Sequence, residues 1–197
     1  MEKIINRCVT YILIPYFLIP IFIFLNNKDI FKSDLLRYEK EVPFKFGIRY
    51  LVYCLLGKKE YRSVFIFRCY KYTACKYLLS IILFPLDQIE ISNIEIGDGI
   101  RIFHKSGCII NAEKIGCNFT CAQGVTIGIG KYNSLYNTNK PIIGNNVWVS
   151  ANAVIIGGIK IGNNSIIGAG SVVLNDVDEN TIVAGNPAKF IRYNREK

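Results

Sequence analysis

The fold of this chain is decided by residues 143–177, which read IGNNVWVSANAVIIGGIKIGNNSIIGAGSVVLNDV. Ile or Val recurs here at every sixth position, and a small or β-branched residue stands four positions after each of them. A period of six residues fits neither an α-helix nor a simple strand. It is typical of a parallel β-helix, in which three hexapeptides close one triangular turn. The recurring residues are Ile143, Val149, Ile155, Ile161, Ile167 and Val173, with Val147, Ala153, Ile159, Ser165, Ser171 and Val177 four positions on.

The same period extends upstream with two interruptions. One extra residue intervenes near Cys108, and sixteen positions separate Ile127 from Ile143. Residues 129–141, which are rich in Asn, Tyr, Lys and Gly, are therefore predicted to leave the β-helix as a loop. We expect about four turns over residues 91–178. The upstream inward positions are predicted at Ile96, Ile102, Ile109, Ile115, Cys121 and Ile127.

The N-terminal half has a different character. Residues 8–25 carry no charge, and Pro15 and Pro20 interrupt them. Three interpretations stay open for this stretch: a buried or interface helix, an interfacial or re-entrant membrane anchor, and a true membrane span. Residues 33–86 are predicted to be helical, with Ser33 as an N-cap and with helices from Gly47 to Leu56 and from Tyr61 to Leu83.

These patterns divide the chain into three parts. Residues 1–30 form a hydrophobic N-terminal segment, residues 31–88 an α-helical domain, and residues 89–192 the β-helix with its loop. The net charge of the chain is +9. Residues 1–90 hold fourteen Lys and Arg against eight Asp and Glu, a net charge of +6. A basic, hydrophobic N-terminal half indicates contact with an anionic membrane surface, and we expect no nucleic-acid partner.

The cysteines indicate a reducing compartment. They number seven, and no two form a Cys-x-x-Cys pair. We therefore predict free thiols and a cytoplasmic protein, with association to the inner face of the membrane as an option. One histidine and no paired thiolate spacing argue against a zinc site, so we expect no metal.

Four segments resemble the serine acetyltransferase branch of the hexapeptide acyltransferases. They are GIRIFHKSG at 99–107, QGVTIG at 123–128, IGAGSV at 167–172 and VAGNPAK at 183–189. The resemblance implies an α+β protein, with an N-terminal α-helical region followed by a left-handed parallel β-helix. It also implies acetyl-CoA as co-substrate, bound in a groove between adjacent subunits. We expect a homotrimer, because that groove needs a second wall.

The family carries a catalytic histidine in the first segment, and His104 occupies its place. Imidazole, with an unperturbed pKa of about 6.5, suits the removal of a proton from an acceptor hydroxyl. The family orients this ring with an upstream acid, which Glu90 matches if one deletion is allowed. An exposed glutamate with no such role, or a backbone carbonyl as the orienting group, are the alternatives.

The resemblance also implies residues that bind the coenzyme. Small residues would let the pantetheine arm approach the backbone, and two cations of the tail would meet the phosphates. A solvated tail is the alternative for these cations. The small residues are Gly128, Ala151, Gly168 and Ala169, and the cations are Lys189 and Arg192.

Three departures from the family bear on the acceptor. Phe103 replaces an acid before the catalytic histidine, Lys140 replaces a second histidine before Pro141, and Val42 replaces an acid before Pro43. An acid binds the amino group of serine, whereas Phe103 cannot. We therefore predict acetyl transfer to a sugar of a surface polysaccharide or its precursor, with Phe103 and Lys140 facing the substrate. The alternatives are a serine O-acetyltransferase, a β-helical zinc hydratase and a noncatalytic scaffold.

Overall fold

The computed structural model describes residues 17–37, 47–69, 89–92, 94–104 and 107–195, together with Leu79, Ile81 and Leu83. The chain divides into two compact units, Met1–Leu86 and Asp87–Lys197. The first unit is helical and the second is a solenoid of strands.

The described part of the first unit holds four helices around one apolar cluster. The helix predicted from Gly47 is confirmed, whereas the helix predicted over 61–83 is described only as far as Cys69 and at three later positions. The helices are α1 (Leu18–Asn26), α2 (Lys28–Leu36), α3 (Ile48–Gly57) and α4 (Lys59–Arg68).

Ser33 is not an N-cap. It lies inside α2, which begins five residues earlier, after a turn at Asn27. Asn27 leaves the helical backbone directly before α2, whereas the helix continues through Ser33. Val42, Pro43 and Pro15 lie outside the described residues.

The described end of the hydrophobic segment is helix α1, and one side of this helix is buried. Ile23 and Phe24 of α1 are buried in the apolar cluster. Leu18, Phe22 and Leu25 on the other side are 64%, 69% and 44% exposed. None of the helices in the described ranges is both long and apolar enough to cross a membrane.

Polar contacts also join these helices. Arg68 of α4 donates to both carboxylate oxygens of Asp34 in α2, at 2.8 and 3.0 Å, and both side chains are buried. The Tyr50 hydroxyl of α3 donates to the Leu35 carbonyl at 2.8 Å. A buried ion pair of this kind makes the loss of either partner costly.

The second unit winds through three parallel sheets. Sheet A holds β1 (Ile89–Ile91), β4 (Cys108–Ile110), β7 (Thr126–Gly128), β10 (Val154–Ile156) and β13 (Val172–Val173). Sheet B holds β2 (Glu95–Ile96), β5 (Lys114–Ile115), β8 (Ile142–Ile143) and β11 (Lys160–Ile161). Sheet C holds β3 (Arg101–Ile102), β6 (Thr120–Cys121), β9 (Trp148–Val149), β12 (Ile166–Ile167), β14 (Thr181–Gly185) and β15 (Ala188–Tyr193).

The parallel β-helix is confirmed, but it is longer than predicted. Sheet A is five strands deep, and sheet C adds the antiparallel β15 to five parallel strands, so the solenoid makes about five turns instead of four. The additional strands are β1 and β14, whose flanking sequence departs from the period. The twelve recurring positions of residues 143–177 are all buried, as predicted.

The prediction that Ile109 faces inward is wrong. Ile109 is 45% exposed, and Ile110 takes the inward position, paired with Ile127 in sheet A. Eight positions separate the inward residues Ile102 and Ile110, and five separate Ile110 from Ile115. An insertion of two residues and a deletion of one sum to the single extra residue visible in the sequence.

The predicted loop at 129–141 leaves the solenoid after β7 and folds back on itself. Asn133 and Thr138 pair through backbone hydrogen bonds in both directions, and Gly130 N–H donates to the Asn139 carbonyl. The Tyr136 hydroxyl donates to the Asp176 carboxylate at 2.6 Å. This bond raises the pKa of Tyr136 and fastens the loop to a later turn.

One corner of the solenoid, between sheets B and C, is a ladder of asparagine side chains. Each donates its amide to the carbonyl oxygen of the next, at 2.8–3.0 Å. All four have left-handed backbone angles, which asparagine tolerates better than most residues. The ladder consists of Asn118, Asn146, Asn164 and Asn180.

Candidate active site

His104 lies at an enlarged corner between β3 and β4. The preceding Phe103 lies over the second turn, where its N–H donates to the Cys121 carbonyl, and Gly107 lies beside Gly124, whose Cα a Cβ at position 107 would meet at 3.9 Å. Five positions separate the inward residue Ile102 from Gly107, whereas only three separate the corresponding residues Cys121 and Gly124 of the next turn. His104 stands at the start of this two-residue insertion, solvent-exposed and with φ of +63°. The imidazole is therefore presented to solvent by an irregularity of the solenoid.

Phe103 is part of an aromatic and cationic cluster. Its ring stacks on Trp148, with centroids 5.6 Å apart and planes at 27°. The Arg101 guanidinium lies 4.0 Å from the centroid of the Phe103 ring. Arg101 and Trp148 share one column of sheet C through Thr120, a relation visible in the sequence only once the register is known.

Glu90 lies apart from the histidine. It is exposed in β1, where it pairs with Ile109 of β4 on the outward face of sheet A. Both residues lie in the described part of the chain, and no hydrogen bond or ion pair joins Glu90 to His104. The proposed orienting role of Glu90 stays a prediction.

Three of the four predicted small residues lie on the edge of the solenoid that carries His104. Ala151 and Ala169 follow β9 and β12 as His104 follows β3. Gly168 stacks on Ala184, and a Cβ at Gly168 would lie 2.8 Å from the Ala184 Cβ. This edge therefore offers a continuous surface of small side chains that leads from His104 towards the C-terminal end.

The two predicted cations lie at the end of this surface on β15, and both are exposed. Lys189 pairs with Ala184, and Arg192 pairs with Ile182. From Phe103 to Lys189 the column passes through Ala122, Ser150, Gly168 and Ala184, five steps of about 4.8 Å, or ~24 Å. The edge thus carries a histidine at one end and a cation at the other.

Gly128 and Lys140 lie elsewhere. They flank the loop at the corner between sheets A and B, so one chain places them across sheet A from His104. The Lys140 N–H donates to the Thr138 hydroxyl at 3.1 Å, and that hydroxyl donates to the Glu113 carboxylate at 2.8 Å. Within one subunit the structure does not bring these two residues to the histidine.

The chain shares this architecture with known acetyltransferases. Residues 140–175 match the model of the bacterial transferase hexapeptide family (six repeats). Serine acetyltransferase 2 of Arabidopsis thaliana is 39% identical over 104 residues, which are 52% of this chain and 31% of that protein. Galactoside O-acetyltransferase of Escherichia coli is 41% identical over 86 residues, which are 40% of this chain and 42% of that protein.

Solved structures extend the similarity to both units. The serine acetyltransferase of Neisseria gonorrhoeae matches with a TM-score of 0.63 and 28% identity, over 84% of this chain and 65% of that one. A serine acetyltransferase in complex with CoA matches with a TM-score of 0.63 and 25% identity, over 85% and 72%. The chain is therefore similar to serine acetyltransferases in sequence and in fold, and its residues 140–175 match the hexapeptide-repeat model. It spans from 27% to 59% of the length of the first curated relatives that it matches.

The site also has a polar residue whose place beside the histidine the sequence did not predict. Gln123 occupies the corner position after β6 that His104 occupies after β3. Its Oε1 atom is buried and has no hydrogen-bond partner among the described residues. The motif QGVTIG contains Gln123, but only the register of the turns places it next to His104.

Two thiols inside the solenoid are not part of this site. Cys108 and Cys121 are both fully buried, as predicted for the inward Cys121, and the Cys108 thiol donates to the Ala122 carbonyl at 3.2 Å. The hydrogen bond with Cys108, together with burial, raises the pKa of Cys121 well above its usual range. Burial keeps both thiols from reacting with a substrate at the surface.

Proposed function

We propose that this protein transfers the acetyl group of acetyl-CoA to a hydroxyl acceptor. The observation that carries the proposal is that the chain's single histidine stands exposed on the same edge as the small residues Ala151, Gly168 and Ala169. A solved relative with CoA bound shares the fold, which supports acetyl-CoA as the co-substrate.

The chemistry needs one base and no acyl-enzyme. Nε2 of His104 removes the proton of the acceptor hydroxyl as its oxygen attacks the thioester carbonyl carbon. The tetrahedral intermediate then breaks its C–S bond, and the imidazolium returns the proton to the departing thiolate. The products are the O-acetyl ester and free CoA, with no net change in the enzyme.

Two acceptors are supported by different observations. The relatives favour serine, because most of those compared are named serine acetyltransferases. The residues beside His104 favour a sugar, because Phe103 provides no carboxylate for an amino group and Trp148 offers a half-exposed indole. The galactoside O-acetyltransferase shows that a relative with this repeat is named for a sugar substrate. The names of the relatives support serine more strongly than the aromatic residues Phe103 and Trp148 support a sugar.

The two acceptors are separated by measuring thiol release from acetyl-CoA with L-serine and with a panel of monosaccharides and uronic acids. We expect His104→Ala to abolish release with the true acceptor. Lys114→Ala, an exposed change on sheet B, is the matched control and should leave the rate unchanged. Full activity of His104→Ala, or no release with any acceptor, would refute the proposal.

The edge of small residues that would bind acetyl-CoA can be tested separately by a substitution at Gly168. A methyl group at Gly168 would meet Ala184 at 2.8 Å and displace the surface on which the pantetheine arm would lie. Gly168→Ala should therefore raise the KM for acetyl-CoA several-fold, and Gly168→Ala/Ala184→Gly should restore part of it. An unchanged KM in the single variant would remove this edge from the coenzyme site.

We also propose a homotrimer in which the site lies between subunits. Gly128 and Lys140 stand at the corner between sheets A and B, and His104 at the corner between sheets C and A. Only a second copy can bring one corner against the other. Multi-angle light scattering should give three times the chain mass of 22.3 kDa. A stable, active monomer would contradict both the trimer and the shared site.

For location, we propose the cytoplasm, with the helical unit docked on the anionic inner face of the membrane. The exposed stripe of Leu18, Phe22 and Leu25 has Lys28 and Lys32 beyond its end, both exposed. Cations beside an apolar stripe favour binding to an anionic lipid surface, whereas they would repel the same cations of a second copy of the chain. The full-length protein should float with vesicles containing phosphatidylglycerol, and Phe22→Glu should abolish flotation. Equal binding to neutral vesicles would contradict the charge argument.

A further inference from the structure

We infer that Gln123 positions the ring of His104, with Gln123 Oε1 accepting a hydrogen bond from His104 Nδ1–H. This bond would leave Nε2 unprotonated and free to act as the base. The inference deepens the proposed acetyl transfer, but its structural part can be tested without any activity.

The first observation is the placement of the two residues. The corner of the first turn touches the second turn at two points, where Phe103 lies over Ala122 and Gly107 over Gly124. Gln123 is the single residue of the second turn between these points. His104, which directly follows Phe103, is therefore the residue of the first turn that corresponds to Gln123, and adjacent turns lie about 4.8 Å apart.

The second observation is an unsatisfied acceptor. Gln123 Oε1 is buried, although the residue lies at a corner, and no described residue donates to it. Buried polar atoms without a partner are rare in folded proteins and cost free energy. A donor from the corner above would satisfy this oxygen, and the Nδ1–H of a neutral imidazole is such a donor.

The chemistry favours an amide here. An acceptor on Nδ1 fixes the tautomer in which Nε2 carries the lone pair. A carboxylate in the same place would also favour the charged ring, which cannot remove a proton. Glu90, the alternative from the sequence, forms no hydrogen bond or ion pair with His104 among the described residues and faces outward beside Ile109.

The single histidine makes the test direct. Full-length protein labelled with 15N-histidine gives one imidazole spin system, whose nitrogen shifts report the tautomer. We expect the Nδ1–H tautomer in the wild type and a mixture of tautomers in Gln123→Ala. In Gln123→Glu the charged ring should persist to higher pH than in the wild type. Glu95→Gln, an exposed change on sheet B, is the matched control and should leave the spectrum unchanged.

A kinetic readout separates positioning from folding. Gln123→Ala should lower kcat about 10- to 100-fold, as expected for a misoriented base, while the KM for acetyl-CoA and the melting temperature change little. If Gln123→Ala does not fold, the wild-type tautomer decides alone. An Nε2–H tautomer in the wild type, or an unchanged tautomer and kcat in Gln123→Ala, would overturn the inference. A wild type with no acetyl transfer but with the expected tautomer would overturn only the proposed function.

Discussion

Replacement of Asn164 tests why asparagine forms the corner between sheets B and C. Asn164 has φ of +57°, receives a hydrogen bond from the Asn146 amide at 2.9 Å and donates one to Asn180 at 2.8 Å. We expect Asn164→Ala to be less stable than Asn164→Gly, which reverses the usual order of these two residues. The reversal separates the backbone contribution from that of the hydrogen bonds, because both variants lose the same bonds.

The magnitude follows from two opposing terms. The left-handed backbone costs a residue with a Cβ about 1–2 kcal/mol. Glycine avoids this cost, but its more flexible unfolded chain costs about 0.5–1 kcal/mol relative to alanine. Asn164→Ala should therefore be less stable than Asn164→Gly by about 0–1.5 kcal/mol, with a midpoint of about 0.75 kcal/mol. The two partly exposed hydrogen bonds add about 1 kcal/mol to the loss in both variants.

Asn163 is the matched control. Its side-chain oxygen accepts a hydrogen bond from the backbone N–H of Asn145 at 2.7 Å, in the neighbouring turn, but its φ is not positive. Asn163→Ala should be more stable than Asn163→Gly by about 0.5–1 kcal/mol.

Denaturant unfolding at one protein concentration measures all four variants and removes any effect of assembly on the midpoints. The same order of alanine and glycine at both positions would refute the reasoning.

Three further predictions concern other parts of the chain. Asp34→Ala should lower the free energy of unfolding of the helical unit by about 3–5 kcal/mol, measured by helical circular dichroism in urea, because Arg68 would stay buried without its carboxylate. The Tyr136 phenol should ionise only above pH 10, measured as the 295 nm difference from Tyr136→Phe. Because its folded pKa is raised, the bond to Asp176 is fully present below pH 10 and is lost as pH rises through the raised value. His104→Asn should abolish turnover and raise the free energy of unfolding by up to about 1 kcal/mol, measured in the same titrations, because asparagine tolerates the left-handed backbone better.

The interior of the solenoid could be predicted from the sequence, because it obeys a local rule. Each inward residue meets the inward residues of the turns above and below, so every hexapeptide needs the same aliphatic column. This rule placed Ile143, Ile155 and Ile167 correctly. It failed near Cys108, where an insertion of two residues and a deletion of one lie within one turn, because counting along the chain shows only the net gain of one residue. Only the pairing of Ile110 with Ile127 shows which residue faces inward.

The outer surface could not be predicted in the same way, because its contacts join residues from different turns. Phe103 and Trp148 are forty-five positions apart, yet their rings stack at 5.6 Å. Lys140 shows the opposite case, a residue that the sequence assigns to the site but that the fold of one chain places away from it. Its place before Pro141 resembles a family site residue, but one chain puts it across sheet A from His104. The sequence therefore does not show which of the predicted site residues lie together, because their grouping depends on the register of the turns.

The backbone of His104 shows where this fold gives up stability. Seven residues other than glycine have a left-handed backbone in the described part of the chain, and all of them except His104 are asparagine. The corners thus use the residue that tolerates this conformation best, and several of these asparagines also gain ladder bonds. His104 gains no described hydrogen bond and still occupies such a corner, at the start of an insertion that the stacking of turns does not require. Strain of this kind persists where the position serves a purpose other than stability. The left-handed backbone of His104 supports its proposed role independently of similarity to any relative. The other left-handed positions are Asn118, Asn137, Asn146, Asn152, Asn164 and Asn180.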